Sequence, residues 1–190
     1  MSKKAFLGMG LLGSNFVKAM LKRGEEIHVW NRTTSKAKQL EELGAKVYEN
    51  VKDAVNDANI IHLTLKDDAS VDDVLQQASE GLSKGTIILD HTTTSKEGAT
   101  RRTKEWKEIG VTYQHAPVFM GPSNAYEGTG LMLISGDEEI IKQVEPELTS
   151  MTGKLVHLGP EVGKAAAMKL TGNAYLVSFA FSIRETLAIA

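Results

Sequence analysis

No cysteine occurs among the 190 residues. That absence removes disulfide scaffolds, thiolate metal sites and cysteine nucleophiles together, and makes a reducing, cytoplasmic setting the default expectation. Long apolar runs are missing too: none approaches the roughly 18 residues that a membrane-spanning helix needs. Two lysines precede the first apolar run, but Gly8, Gly10 and Gly13 interrupt it and an amphipathic stretch follows, so a secretory leader is not expected. No basic tract stands out. The 22 Lys and Arg are dispersed among 24 Asp and Glu, for a formal net charge of −2, so neither nucleic acid nor a membrane is an expected partner. The five histidines, His28, His62, His91, His115 and His157, lack metal-ligand spacing, and no metal is expected. His28 and His62 fall in strand patterns and read as sheet histidines. Asp67-Asp68 and Asp72-Asp73 read as a solvated loop and a helix start, not as paired catalytic carboxylates. Neither a nucleophile elbow nor a Walker loop is present.

What is present is an ordinary globular composition, 42% hydrophobic and 24% charged. The pattern predicts strands at 4–7, 27–30, 46–48, 60–65, 86–90, 111–114, 131–135 and 154–158. Helices are predicted over 14–23, 35–43 with Ser35 as its cap, 51–56, 71–78, 95–109 and 138–148. Alternation of this kind predicts an α/β fold, a doubly wound, mostly parallel Rossmann-type sheet with helices on both faces. Residues 162–190 read as one long helix that is apolar on many faces, and such a helix must be covered. The expected organisation is therefore a dinucleotide-binding domain over 1–161 and, over 162–190, the start of an all-helical domain of a longer protein. Pairing of two copies through that helix is the accompanying expectation.

Gly8-Met9-Gly10-Leu11-Leu12-Gly13 matches G-x-G-x-x-G between a predicted strand and a predicted helix, the context that gives the motif meaning. The first glycine permits the tight turn, the second lets backbone approach a pyrophosphate, and the third lets helix pack on strand. An NAD site usually carries a carboxylate at the end of the second strand, to hold the ribose hydroxyls. Here Trp30 is followed by Asn31-Arg32-Thr33-Thr34. Arg32 can fork onto a 2′-phosphate, with Thr33 and Thr34 as hydroxyl donors and Lys36 as a weaker contributor, so the reading is NADP(H) over NAD(H). Far downstream, Lys169 and Asn173 sit one turn apart on the final helix, where both side chains can reach one pocket. A lysine on an apolar helix needs a partner or an adjustable protonation state.

Four motifs in order, covering nearly the whole chain, carry a family likeness: residues 6–24 continuing to Val29-Trp30-Asn31-Arg32-Thr33; Asp90-His91-Thr92-Thr93; Ala116-Pro117-Val118 with Gly121 and Gly128-Thr129; and Gly163 through Lys169 to Asn173. In these the chain resembles the β-hydroxyacid dehydrogenases, a family that includes 3-hydroxyisobutyrate dehydrogenase and the glyoxylate/succinic semialdehyde reductases. The resemblance implies that Lys169 is the general acid and base, and that Asn173 orients substrate and lysine. It places Thr93 against the nicotinamide ribose or ring, and Leu65, Lys66 and Val71 around the adenosine. It implies a substrate loop at Phe119, Met120 and Gly121, and a dimer or tetramer for a full-length protein. Departures are visible. The family's substrate-loop serine aligns with Phe119 and the next glycine with Met120; Phe119 cannot donate a hydrogen bond, and Ser123 is the candidate replacement. Lys66 stands where a proline is usual, and Ala165 where the fourth motif has its second glycine.

The expected function is NADPH-dependent hydride transfer between nicotinamide and a small β-hydroxyacid, aldehyde or keto acid. The alternatives are an imine reductase of the same superfamily, favoured by Phe119 and Met120 but not by Lys169, and a cofactor-binding piece that is catalytically incomplete. A third, a non-enzymatic assembly role known in one chromatin-associated branch, fits poorly with a retained Lys169.

Overall fold

The computed structural model describes residues 3–189. Its six-stranded sheet is built from β1 (Lys4–Leu7), β2 (Ile27–Trp30), β3 (Lys46–Tyr48), β4 (Ile60–Leu63), β5 (Ile87–Asp90) and β6 (Thr112–His115), in the order β3-β2-β1-β4-β5-β6. Every pairing is parallel; β1 runs beside β2 with Leu7 opposite Trp30, and beside β4 with Leu7 opposite Leu63. The strand order reverses between β1 and β4, so the crevice at their C-terminal ends is the natural ligand position in such a sheet.

Helices α1 (Leu11–Lys22), α2 (Thr34–Lys38), α6 (Pro122–Glu127) and α7 (Glu138–Thr149) cover one face, and α3 (Val51–Val55), α4 (Asp68–Ala78) and α5 (Lys96–Glu108) the other. Strand alternation divides the core between them. Phe6, Ile27, Val29, Ile87 and Leu89 pack with Phe16, Val17 and Met20 of α1. Ala5, Leu7, Ile61, Leu63 and Ile88 pack with Val71, Val74 and Leu75 of α4. Fully burying each such aliphatic side chain contributes about 1.5–3 kcal/mol.

The doubly wound parallel sheet is as expected, but the last strands are not part of it. β7 (Val118–Phe119), β8 (Leu131–Ile134) and β9 (Lys154–His157) form a separate three-stranded sheet, antiparallel between β7 and β8 and parallel between β8 and β9. Proline 117 marks the divide. It has no N–H to continue the ladder, and its carbonyl instead accepts from Leu133 N at 2.9 Å. The short β7 and α6 were not foreseen.

Helix boundaries also differ, α4 for one starting at Asp68 where 71 was expected. α1 begins at Leu11, so half of the glycine motif is already helical. The helix expected over 35–43 is a five-residue α2, whose capping position is Thr33 rather than Ser35, followed by a separate 3₁₀ turn at Glu41–Leu43. Gly44 ends that turn at φ +100, a conformation glycine adopts without strain.

The last element, α8 (Lys164–Ile189), buries only Ala165, Ala166 and Lys169. From Leu170 onward it leaves Tyr175, Leu176, Val177, Phe179, Phe181, Ile183, Leu187 and Ile189 exposed.

Candidate active site

The glycine loop is held in place by backbone. Gly8 takes φ +100, donates its N–H to Trp30 O at 2.9 Å, and leaves no room for a Cβ, which would strike the carbonyl of Thr64. Gly13, inside α1, would carry a Cβ into the Gly8 carbonyl and the Thr64 hydroxyl. Gly10 is different: a Cβ there would meet no protein atom within 4 Å. Its small size keeps space open at the start of α1. That start has no side-chain cap, so the first N–H groups of the helix are free for an anion. Asn31 braces the loop from β2, accepting from Met9 N at 2.8 Å and donating to Thr33 O at 2.9 Å. The Met9 side chain itself lies in the core.

From this loop a groove of about 570 Å³ runs along the ends of β2 and β4, past Arg32, Thr33, Lys36, Leu65 and Lys66. Among the described residues no carboxylate forms an ion pair with Arg32 or Lys36. Val71, expected beside the adenosine, is wholly buried in the core; the residue of α4 that lines the groove one turn later is Val74. A second cleft of about 300 Å³ continues on the other side of Gly10, Thr64 and Leu65, lined by Leu11, Leu12, Gly13, His91, Thr93, Met120 and Lys169. The two hollows share Gly10, Thr64 and Leu65. Together they make one crevice across the sheet end, with phosphate-binding backbone in its middle.

Lys169 reaches this second cleft from α8. It is 8% exposed, and its ammonium lies 3.9 Å from the centroid of the Phe119 ring. Among the described residues it has no hydrogen bond or ion pair, and burial lowers its pKa from the ordinary lysine value. Thr93 is half-buried in the same cleft with no hydrogen bond of its own among the described residues. Asn173 is half-buried one turn beyond Lys169 and does not line the cleft. Gly121 precedes α6, its N–H donating to Asn124 Oδ1 at 2.9 Å. Ser123 is exposed on α6 and lines neither hollow.

Two buried networks behind the cleft escaped sequence reasoning. Arg102, 1% exposed, donates to Asp68 at 2.6 Å, Asp72 at 3.0 Å and the Tyr113 hydroxyl at 3.0 Å, while Tyr113 donates to Asp90. Asp68 also accepts from Ser95 N at 2.8 Å. Asp68 and Asp72, themselves partly exposed, are thus partners of a buried guanidinium, and the network pins the 90–95 loop that presents Thr93. Asp67 does start a helix, accepting from Ser70 N as the cap of α4.

The second network is a histidine pair. His91 Nδ1 donates to Ala116 O at 2.9 Å, which leaves Nε2 to accept from His62 Nδ1 at 3.1 Å. His62 Nε2 faces Glu147 Oε1 at 3.2 Å, and Lys4 bridges Glu147 at 2.7 Å to Glu25 at 2.6 Å. Burial, then the neighbouring His62, push the His91 pKa down to about 3. Burial by itself would raise the Glu147 carboxyl, but its contact with His62 and the hydrogen bonds from Lys4 outweigh it and hold it at about 2. His62 is a sheet histidine as expected, but also one link of this chain.

A profile of the NAD binding domain of 6-phosphogluconate dehydrogenase matches residues 3–159. The chain belongs to that family. Relatives that resemble it include the chloroplastic glyoxylate/succinic semialdehyde reductase 2 of Arabidopsis thaliana, 32% identical over 97% of this chain and 52% of the reductase. The mitochondrial 3-hydroxyisobutyrate dehydrogenase of Drosophila melanogaster is 26% identical over 97% of this chain and 57% of its own. Among solved structures, an imine reductase from Myxococcus stipitatus in complex with NADP+ superposes with a TM-score of 0.86 at 27% identity, over 97% of this chain and 63% of that one. These likenesses bear out the β-hydroxyacid dehydrogenase resemblance, with this chain as the N-terminal domain. The chain spans about half the length of the plant reductase. No helix among the described residues is long and apolar enough to cross a membrane.

Proposed function

We propose that this chain is the cofactor-binding part of an NADPH-dependent oxidoreductase that interconverts a small β-hydroxyacid and the corresponding aldehyde or keto acid. The observation that carries the reading is the convergence, in one crevice, of the glycine loop and a buried lysine with no anionic partner. The free N–H groups at the start of α1 and the open space at Gly10 fit a pyrophosphate. Arg32 and Lys36, unpaired at the far end, fit a 2′-phosphate. When bound there, the cofactor supplies the hydride. The chain's own residues do the rest. Lys169 gives its ammonium proton to the carbonyl oxygen as that oxygen gains charge, and takes it back in the oxidative direction. Thr93 offers a hydroxyl to the ribose or ring, and Asn173 turns toward substrate when the pocket is complete.

Replacing a positioned acid of this kind lowers turnover by about 10²–10⁴-fold. In a full-length protein carrying this chain, Lys169→Ala is expected to lose turnover of glyoxylate or succinic semialdehyde on that scale while still binding NADPH. Undiminished turnover in the variant would remove Lys169 from the chemistry. A second reading, an imine reductase, is favoured by the apolar Phe119 and Met120 beside the lysine. It predicts turnover of a cyclic imine and none of any keto acid. The 190-residue chain alone is expected to turn over little, because Lys169 lacks the closed pocket that positioning requires.

A further inference from the structure

The Lys169 ammonium has one partner within reach among the described residues, and it is a ring face. Phe119 belongs to β7, where it pairs with Leu131 of β8, so the ring is fixed from a strand. It packs against α8 at a position where only glycine fits: a Cβ on Gly172 would meet Phe119 Cε1 at 2.9 Å and would lie closer still to Cζ. Lys169 and Gly172 are three residues apart and share that helix face. The ammonium thus sits over the ring while the glycine lets the ring seat.

We propose that Phe119 is the positioning residue for Lys169: its ring face holds the ammonium at the cleft and sustains its protonation where a carboxylate would otherwise do so. A cation over a ring face is attracted by the ring quadrupole, more strongly when water is excluded. Burial pulls the other way and favours the neutral amine. The two effects of one side chain therefore oppose each other, and they can be separated. Other charges do not compete. His91, which shares the cleft, has a depressed pKa. Lys96 and Glu161, near the start of α8, pair with each other, and Lys164, Arg184 and Glu185 on α8 itself are exposed.

This inference concerns the proton affinity of Lys169. Its consequence for catalysis rests on the acid/base role proposed above, but its test does not. The titration midpoint of Lys169 is read by carbon-13 NMR of its Cε, assigned through Lys169→Arg, in the 190-residue chain. Phe119→Leu keeps the apolar cover but removes the ring face, and the midpoint is expected to fall by about one unit. Phe119→Trp, with the stronger face, should restore it. Fluorinated phenylalanines at position 119 weaken the quadrupole at nearly constant shape, so the midpoint should step down with each added fluorine; this arm decides the matter if Phe119→Leu does not fold. An unchanged or raised midpoint in Phe119→Leu, or indifference to fluorination, would reduce the ring to a filler and overturn the proposal. That result would leave the Lys169→Ala turnover test standing, so the two claims fail separately.

Discussion

Glutamate 147 and His91 make the stability of this chain pH-dependent in one direction. The carboxyl of Glu147 is held at about 2 against an ordinary 4.5, so its contribution is complete above 4.5 and is lost as the pH falls toward 2. His91 is depressed from 6.5 to about 3, so the unfolded chain takes up a proton that the folded one refuses across that interval, and stability again falls with falling pH. Thermal melting followed by circular dichroism should show the midpoint declining from near pH 6.5 downward. His91→Asn keeps a donor for Ala116 O and cannot titrate, so it should flatten the upper part of the decline. Glu147→Gln removes one of the two carboxylates that Lys4 bridges and is expected to cost about 1–3 kcal/mol near neutral pH. A wild-type midpoint that stays flat to pH 4 would contradict the buried network. None of this was legible in the sequence. His62 and His91 are 29 residues apart and Glu147 lies far downstream on α7; only the parallel register of β4 and β5, with α7 packed over that face, brings them together. Arg102 escaped for the same reason, since a helix that reads Arg-Arg-Thr-Lys-Glu does not announce which arginine turns inward. The placement of the glycines, Asn31, Arg32 and Lys169 along one crevice was legible because each is tied to a local turn or a fixed motif spacing.

At the scale of elements, the strand–loop–helix unit is the sharpest constraint. Gly13→Ala would improve helix propensity by about 1 kcal/mol in an exposed helix. Here it drives a methyl into the backbone carbonyl of Gly8, which cannot move without disturbing β1. The expected outcome is a net loss of about 2 kcal/mol in urea unfolding, together with loss of cofactor binding. A variant as stable as wild type that still binds would contradict the packing role of the third glycine. The alternation of strands and helices was read correctly because buried parallel strands are short apolar runs with glycine or polar punctuation. β7 and α6 were missed because Val118–Phe119 is only two residues long and α6 only six, too short for any periodicity to register.

For the molecule as a whole, α8 sets the behaviour in solution. Its exposed residues Tyr175, Leu176, Val177, Phe179, Phe181, Ile183, Leu187 and Ile189 make apolar surface of the kind that marks an interface. Self-association of the chain through this helix is the expected outcome, seen in sedimentation velocity as a concentration-dependent rise in mass that Phe179→Ser/Phe181→Ser abolishes. A strictly monomeric wild type would contradict it. Cofactor choice belongs to this scale as well, since it joins β2, the glycine loop and α4 in one groove. Calorimetric titration of wild type and Arg32→Ala with NADPH and NADH tests the central claim most directly. The account predicts tighter binding of NADPH than of NADH, with the difference lost in Arg32→Ala and NADH binding left unchanged. Equal binding of the two, or a preference that survives the substitution, would contradict it.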